Sequence, residues 1–169
     1  SSSSTPYFGT TVGNATGGAI TVDIDGGTFS SNDIYASAYT SGGYDPLAGG
    51  TATGGDISFT ARNGGSISAG YLSANADAYG GSSDQAGGDA IGGTISLTSK
   101  NGMLDFSSVY VEAQAFGGDG YATSGAATGG KGTILLDGGV YDWYGVDLNT
   151  DAYASNSGGQ GNGATARAD

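Results

Sequence analysis

The sequence predicts an all-β protein, a right-handed parallel β-helix (β-solenoid) of about four coils of 37–38 residues. Three observations carry this expectation. Glycine pairs recur at Gly17-Gly18, Gly54-Gly55, Gly92-Gly93 and Gly129-Gly130, at spacings of 37, 38 and 37 residues. A fixed period in this range marks a stacked-repeat architecture. Each pair opens a run in which apolar and polar residues alternate, the pattern of a half-buried strand. Glycine supplies 36 of 169 residues without a collagen-like Gly-x-y period, and no stretch combines helical apolar spacing with a capping box.

Residues 1–16 are expected to form a lead-in and a partial coil, followed by repeats 17–53, 54–91, 92–128 and 129–166. Ser1–Thr5 reads as a frayed polar leader. A closing phrase, Ala15-Thr16, returns as Ala52-Thr53, Ala90-Ile91, Ala127-Thr128 and finally Ala164-Thr165. The chain thus enters late in one coil, runs four full ones and leaves at nearly the same phase.

Within each repeat the first run is Ile20–Ile24, Ile57–Ala61, Ile95–Ser99 or Ile134–Asp137. Ile20, Ile57, Ile95 and Ile134 are expected to share a register position, as are Val22, Phe59, Leu97 and Leu136. A turn follows at Gly26-Gly27, Asn63-Gly64-Gly65, Asn101-Gly102 and Gly138-Gly139, where Asn and Gly tolerate the positive φ of a sharp corner. A short second run carries Phe29 and Ser31, Ile67 and Ala69, Leu104 and Phe106, or Tyr141 and Trp143. A third run starts at Ile34, Leu72, Val109 or Val146 and ends on Tyr39, Tyr79, Phe116 or Tyr153. Residues 41–50, 80–89, 117–126 and 154–163, rich in Gly, Ser and Asp, read as solvated loops gathered on one edge.

One repeat cannot bury its own apolar face, and stacking on the next repeat does. Matching strands then pair in register about 4.8 Å apart. Dividing each repeat into two half-length coils fits less well, because the loops carry no second set of alternating apolar residues.

The phrases NATGGAITVDIDGG, TATGGDISFTARNGGSI and AATGGKGTILLDGG resemble the glycine-rich repeats of long secreted bacterial β-solenoid proteins. These are the filamentous-haemagglutinin-like and autotransporter-passenger surface adhesins. The resemblance covers residues 13–166 and implies an extracellular, structural or adhesive protein at a bacterial cell surface.

Composition narrows the chemistry. The net charge of −12 excludes a nucleic-acid groove and disfavours an anionic membrane surface. No apolar run has transmembrane length. Cysteine and histidine are absent, which removes disulfides, thiolate metal sites and the commonest general base.

Fifteen aspartates invite a calcium reading. The nonapeptide G-G-x-G-x-D is approached at Gly117-Gly118-Asp119-Gly120 and Gly87-Gly88-Asp89 but is not repeated in tandem, so these read as turn residues. Asp23 and Asp25 lie near Arg62 in register, with Asp137 two coils beyond Thr60, and read as structural charge pairing. Tyr39, Tyr79, Phe116 and Tyr153 form an aromatic ladder, a structural corner before a sugar-stacking strip. Thr51-Ala52-Thr53 resembles an ice-binding Thr-x-Thr only in this copy, and Asn14-Ala15-Thr16 is the lone N-glycosylation triplet.

The sequence therefore predicts a non-enzymatic, extracellular building block with no catalytic, cofactor or metal site. Its expected partner is itself, in a head-to-tail homopolymer, with glycans or cell-surface components as a second class. The competing expectation is a carbohydrate-binding or polysaccharide-cleaving β-helix.

Overall fold

In the computed structural model the chain is all strand and winds into a parallel β-solenoid of about four turns. The structure describes residues 2–3, 13–137, 141, 143–155 and 166–167. The lead-in gives β1 (Ser2–Ser3) and β2 (Ala15–Thr16). The first coil gives β3 (Ala19–Asp25), β4 (Thr28–Ser37), β5 (Thr40–Ser41) and β6 (Ala52–Thr53). The second gives β7 (Asp56–Arg62), β8 (Ser66–Asn75), β9 (Ala78–Tyr79) and β10 (Ala90–Ile91). The third gives β11 (Thr94–Lys100), β12 (Met103–Glu112), β13 (Ala115–Phe116) and β14 (Ala127–Thr128). The fourth gives β15 (Lys131–Asp137), β16 (Gly145–Asn149), β17 (Ala152–Tyr153) and β18 (Ala166–Arg167).

These strands stack into four parallel walls. The first wall is β3, β7, β11 and β15, and the second is β4, β8, β12 and β16. The third is β1, β5, β9, β13 and β17, and the fourth is β2, β6, β10, β14 and β18. The predicted second and third runs merge into single strands β4, β8 and β12. Their pairing passes over Asn32, Gly70 and Ser107, where the inward face changes parity.

The interior is divided into lobes. Between the first and second walls lies the apolar core, with Ile57, Phe59, Leu72, Leu97, Leu104 and Phe106 at most 1% exposed. Phe59 and Leu97 are register partners, as the alternation predicts. Burying side chains of this size contributes about 1.5–3 kcal/mol each. Between the third and fourth walls lies a smaller lobe lined by Ala52, Ala78, Ala90, Ala115 and Ala127, with the fully buried Thr40 as the register partner of Ala78.

Glycine makes the partitions. At the first waist the opposite sides of the coil touch backbone to backbone. Gly55 N–H donates to the Ala38 carbonyl (2.9 Å), Gly93 to Ala76 (2.8 Å) and Gly130 to Ala113 (2.7 Å). A methyl at Gly93 would stand 2.0 Å from the Gly55 carbonyl oxygen and 2.9 Å from the Ala76 Cβ. A second waist lies beyond the alanine lobe. Gly50, Gly88 and Gly125 donate across the coil to Gly43, Gly81 and Gly118. Gly43, Gly81 and Gly118 in turn donate to Gly13, Gly50 and Gly88 one coil away. The result is an unbroken backbone zigzag through glycine from Gly13 to Gly125.

That zigzag corrects the reading of the loops. Residues 41–50, 80–89 and 117–126 do leave by one edge, but they are paired rather than free. Ala48, Ala86 and Thr123 form bridges from coil to coil, and so do Ser83 and Gly120. Most of 154–163 lies outside the described residues. The leader is corrected too, because Ser2–Ser3 pairs with Thr40–Ser41. The last closing phrase is Ala166–Arg167, the register partner of Ala127–Thr128, in place of Ala164-Thr165.

The fourth coil is shifted by two residues from its expected register. Ile134 pairs with Leu97 and Leu136 with Ser99, while Gly132 takes the place across from Ile95. The cause is the waist: register is counted from Gly130, which its backbone contact holds in place, and not from the first isoleucine. Leu148 fills the space over Gly132, where a methyl would meet its Cδ1 at 2.1 Å. Tyr141 reaches down to Ser99 Oγ (2.7 Å), and Trp143 Nε1 donates to the Leu104 carbonyl (3.1 Å). At the corner after the first wall, Asn63 and Asn101 take φ of 52° and 51° as the turn chemistry predicts. The counterpart at Gly138-Gly139 lies outside the described residues.

Gly93→Ala is expected to destabilise by about 1–3 kcal/mol or more, the cost of overpacking against an unyielding backbone. Gly18→Ala, where nothing lies within 4 Å, is expected to leave the melting temperature unchanged. Thermal melts followed by circular dichroism compare the two, and equal melting temperatures would contradict the waist.

Candidate functional site

The densest polar cluster sits on the outside of the first waist, where β8 passes into β9. Alternation points Ala76 and Ala78 inward and Asp77 outward, yet Asp77 is only 2% exposed. The register explains the cover. Asn75 and Tyr79 flank it on its own coil, Tyr39 stands across from it in the first coil and Gln114 in the third.

Every oxygen of the Asp77 carboxylate is engaged. Oδ1 accepts the Gln114 backbone N–H (2.7 Å), and Oδ2 accepts Asn75 Nδ2 (2.7 Å) and the Tyr79 hydroxyl (3.5 Å). Asn75 Nδ2 also donates to Glu112 Oε2 (3.1 Å), so one amide bridges two carboxylates. Glu112 Oε1 accepts the Tyr110 hydroxyl.

Burial pushes the Asp77 carboxyl above the usual carboxylate range, and the Glu112 charge adds to this. The bonds from Gln114, Asn75 and Tyr79 pull it back. Tyr79 is raised by burial first and by the charges of Asp77 and Glu112 next. The Tyr110 phenol is pushed up to about 12, chiefly by its bond to Glu112.

The arrangement returns two coils on. Asn149 Oδ1 accepts the Asp151 N–H (3.2 Å), and the Tyr153 hydroxyl donates to Asp151 Oδ2 (2.9 Å). The phrases Asn75-Ala76-Asp77-Ala78-Tyr79 and Asn149-Thr150-Asp151-Ala152-Tyr153 share one spacing, Asn-x-Asp-x-Tyr. Sequence reasoning reached only the tyrosines; that recurring spacing was the available signal for the rest.

The aromatic ladder is shorter than expected. Tyr79 and Phe116 stack at 4.8 Å and 2°, and Phe116 and Tyr153 at 4.9 Å and 10°. Tyr39 is not a rung, because Ser41 is the register partner of Tyr79. Phe116 spends both ring faces on its neighbours, while Tyr79 and Tyr153 each stack on one face.

The other singled-out residues scatter. Arg62 sits between Asp23 (2.9 Å) and Asp25 (3.6 Å), as expected from register. Asp137 pairs with Lys100 and so belongs to the Asp25–Arg62 ladder, not to that of Thr60. Asp89 Oδ1 accepts the Ala126 N–H (2.8 Å) and Asn14 Oδ1 the Thr51 N–H (2.9 Å), each capping the next coil. Asp119 accepts the Ser155 hydroxyl. Among the described residues no three carboxylates converge on a metal position. Comparison with protein-family models, curated proteins and solved structures finds no match for the chain.

The pH behaviour of Asp77 follows from its burial. A carboxyl raised in the folded state holds its proton more tightly there than in the unfolded chain. Its contribution to stability is therefore greatest at low pH and is lost as pH rises from the unfolded value, about 3.9, through the raised one. Asp77→Asn removes this dependence. The melting temperature of the variant minus that of the wild type is expected to rise as pH increases from about 3.9. A flat or falling difference would contradict the assignment.

Proposed function

We propose that the chain is an extracellular structural solenoid that stacks end to end into a surface filament or adhesive matrix fibre. The carrying observation is the exposure of the ladder at the two ends. Inner rungs Ile67, Leu104, Val109 and Val111 are at most 1% exposed. Their outer counterparts are open: Phe29 39%, Val146 49% and Leu148 45%. Among the described residues β3 and β4 at one end and β15 and β16 at the other have a neighbour on one side only, and such edges template further strands. A contact between unlike ends does not close on itself and grows as a fibre.

The strand order bears on how two copies would join. After β18 the next position in the winding lies on the first wall, whereas a second copy leads with β1 on the third. Two pairings compete at the join. The first and second walls offer the seven residues of β15 and the five of β16, against two each in β1 and β2. The longer, apolar pairing dominates, and β1 and β2 give way to β17 and β18 of the neighbour. The partial coil thus competes with the neighbour. A continuous longer chain of such coils would meet the same edges without this competition.

The resemblance of the repeats to secreted surface solenoids supports the extracellular setting. The polysaccharide-cleaving alternative draws less support, since the carboxylate of the densest polar cluster, Asp77, is covered and fully bonded.

Light scattering at rising protein concentration tests the proposal. The wild type is expected to grow in mass, and Val146→Lys with Leu148→Asp to remain monomeric. A wild type that stays a compact monomer at high concentration would sink the reading.

A further inference from the structure

We propose that Tyr35 and Tyr71 form an oxidative cross-linking site, joined by a peroxidase-type one-electron oxidant into a dityrosine that clasps the first coil to the second. The chain contains no cysteine, so disulfide stapling is closed to it, while tyrosine occurs 11 times. Tyr35 in β4 and Tyr71 in β8 both face outward on neighbouring strands of the second wall. Their ring centroids lie 5.9 Å apart with planes tilted by 59°.

The register fixes how the rings meet. Asp33 lies across from Tyr71 and Tyr35 across from Ser73, so the two phenols approach on the diagonal. Tyr35 is 73% exposed and open to a large oxidant. Tyr35–Tyr71 is the only tyrosine–tyrosine ring pair among the described residues. In the stack below, Phe116 separates Tyr79 from Tyr153. Tyr121 and Tyr144 are 78% and 86% exposed but meet no second tyrosine ring among the described residues.

The chemistry balances with hydrogen peroxide as terminal oxidant. Each phenol gives up one electron and one proton. The two phenoxyl radicals join through a carbon–carbon bond between ring positions ortho to the oxygens. The hydrogens displaced from those carbons pass to the oxygens, and both phenols re-form. One peroxide molecule takes up the two electrons and two protons and leaves as two waters.

The link falls where the fold needs it. The first coil has a neighbour on one side only along its first and second walls, and its ladder residues are partly open. A bond between residues 35 and 71 closes about one coil of chain and restrains the unfolded ensemble as a disulfide of that span does. This role is independent of end-to-end stacking.

The test treats the full chain with a haem peroxidase and limiting hydrogen peroxide, dilute enough to suppress coupling between molecules. The expected product is a monomer lighter by two hydrogen atoms, with dityrosine fluorescence and a higher melting temperature. Its peptide map joins the fragments that carry Tyr35 and Tyr71. Tyr35→Phe is expected to lose this link and Tyr121→Phe to keep it, with circular dichroism checking that both variants fold. A link mapped to other tyrosines overturns the proposal, and so does a yield unchanged by Tyr35→Phe. Purely intermolecular product, or no coupling under conditions that couple free tyrosine, does the same.

Discussion

The contact on which the rest of this molecule depends is backbone against backbone across the inside of a coil. Apolar ladders alone would stack the coils but would leave the cross-section of each one open to choice. The two waists remove that choice. At Gly55, Gly93 and Gly130 the chain touches Ala38, Ala76 and Ala113 through direct hydrogen bonds. At Gly81 and Gly88 it touches itself again, with no side chain on either side. A methyl at Gly88 would lie 2.0 Å from the Gly50 carbonyl oxygen. These bonds satisfy backbone groups that would otherwise be buried without partners. They also divide the interior into a broad lobe for Ile, Leu, Val and Phe and a narrow one that holds alanine and, in the first coil, Thr40.

Much of this was legible in the sequence, and the failures share a cause. The glycine-pair period gave the coil count, and alternation gave the inward faces of β7, β8, β11 and β12 because each of those strands has neighbours on both sides. The asparagine corners were legible because positive φ has a clear residue signature. What alternation does not encode is backbone contact. The segments 80–89 and 117–126 carry no apolar alternation, so they read as loops, although Gly81, Gly88, Gly118 and Gly125 pair them through backbone hydrogen bonds. The fourth coil misled for the same reason: its isoleucine was aligned with other isoleucines, while the fold aligns Gly130 with Gly93. Tyr39 departs from the aromatic ladder for the same reason: residue type puts it at the end of its run, whereas distance from the waist puts Ser41 across from Tyr79.

The polar corner at Asp77 is best understood from the same constraint. A waist on the inside draws the outer surface inward, and a side chain that alternation sends to solvent is covered by its register neighbours. The carboxylate is tolerated because Gln114, Asn75 and Tyr79 all donate to it. Asn149, Asp151 and Tyr153 repeat the pattern on a coil whose outer side is open, where Asp151 is exposed. Function is less legible than fold here because repeated ladders place similar residues on every coil and single out no one position by sequence.

Native-state hydrogen exchange of the glycine amides tests the central claim most directly, because it reads the waist bonds one by one. The Gly81, Gly88 and Gly118 amides are predicted to be protected as strongly as those of Leu97 and Val109 in the core strands. Exchange of these glycines at the rate of an unstructured peptide, with the core strands still protected, would contradict the account.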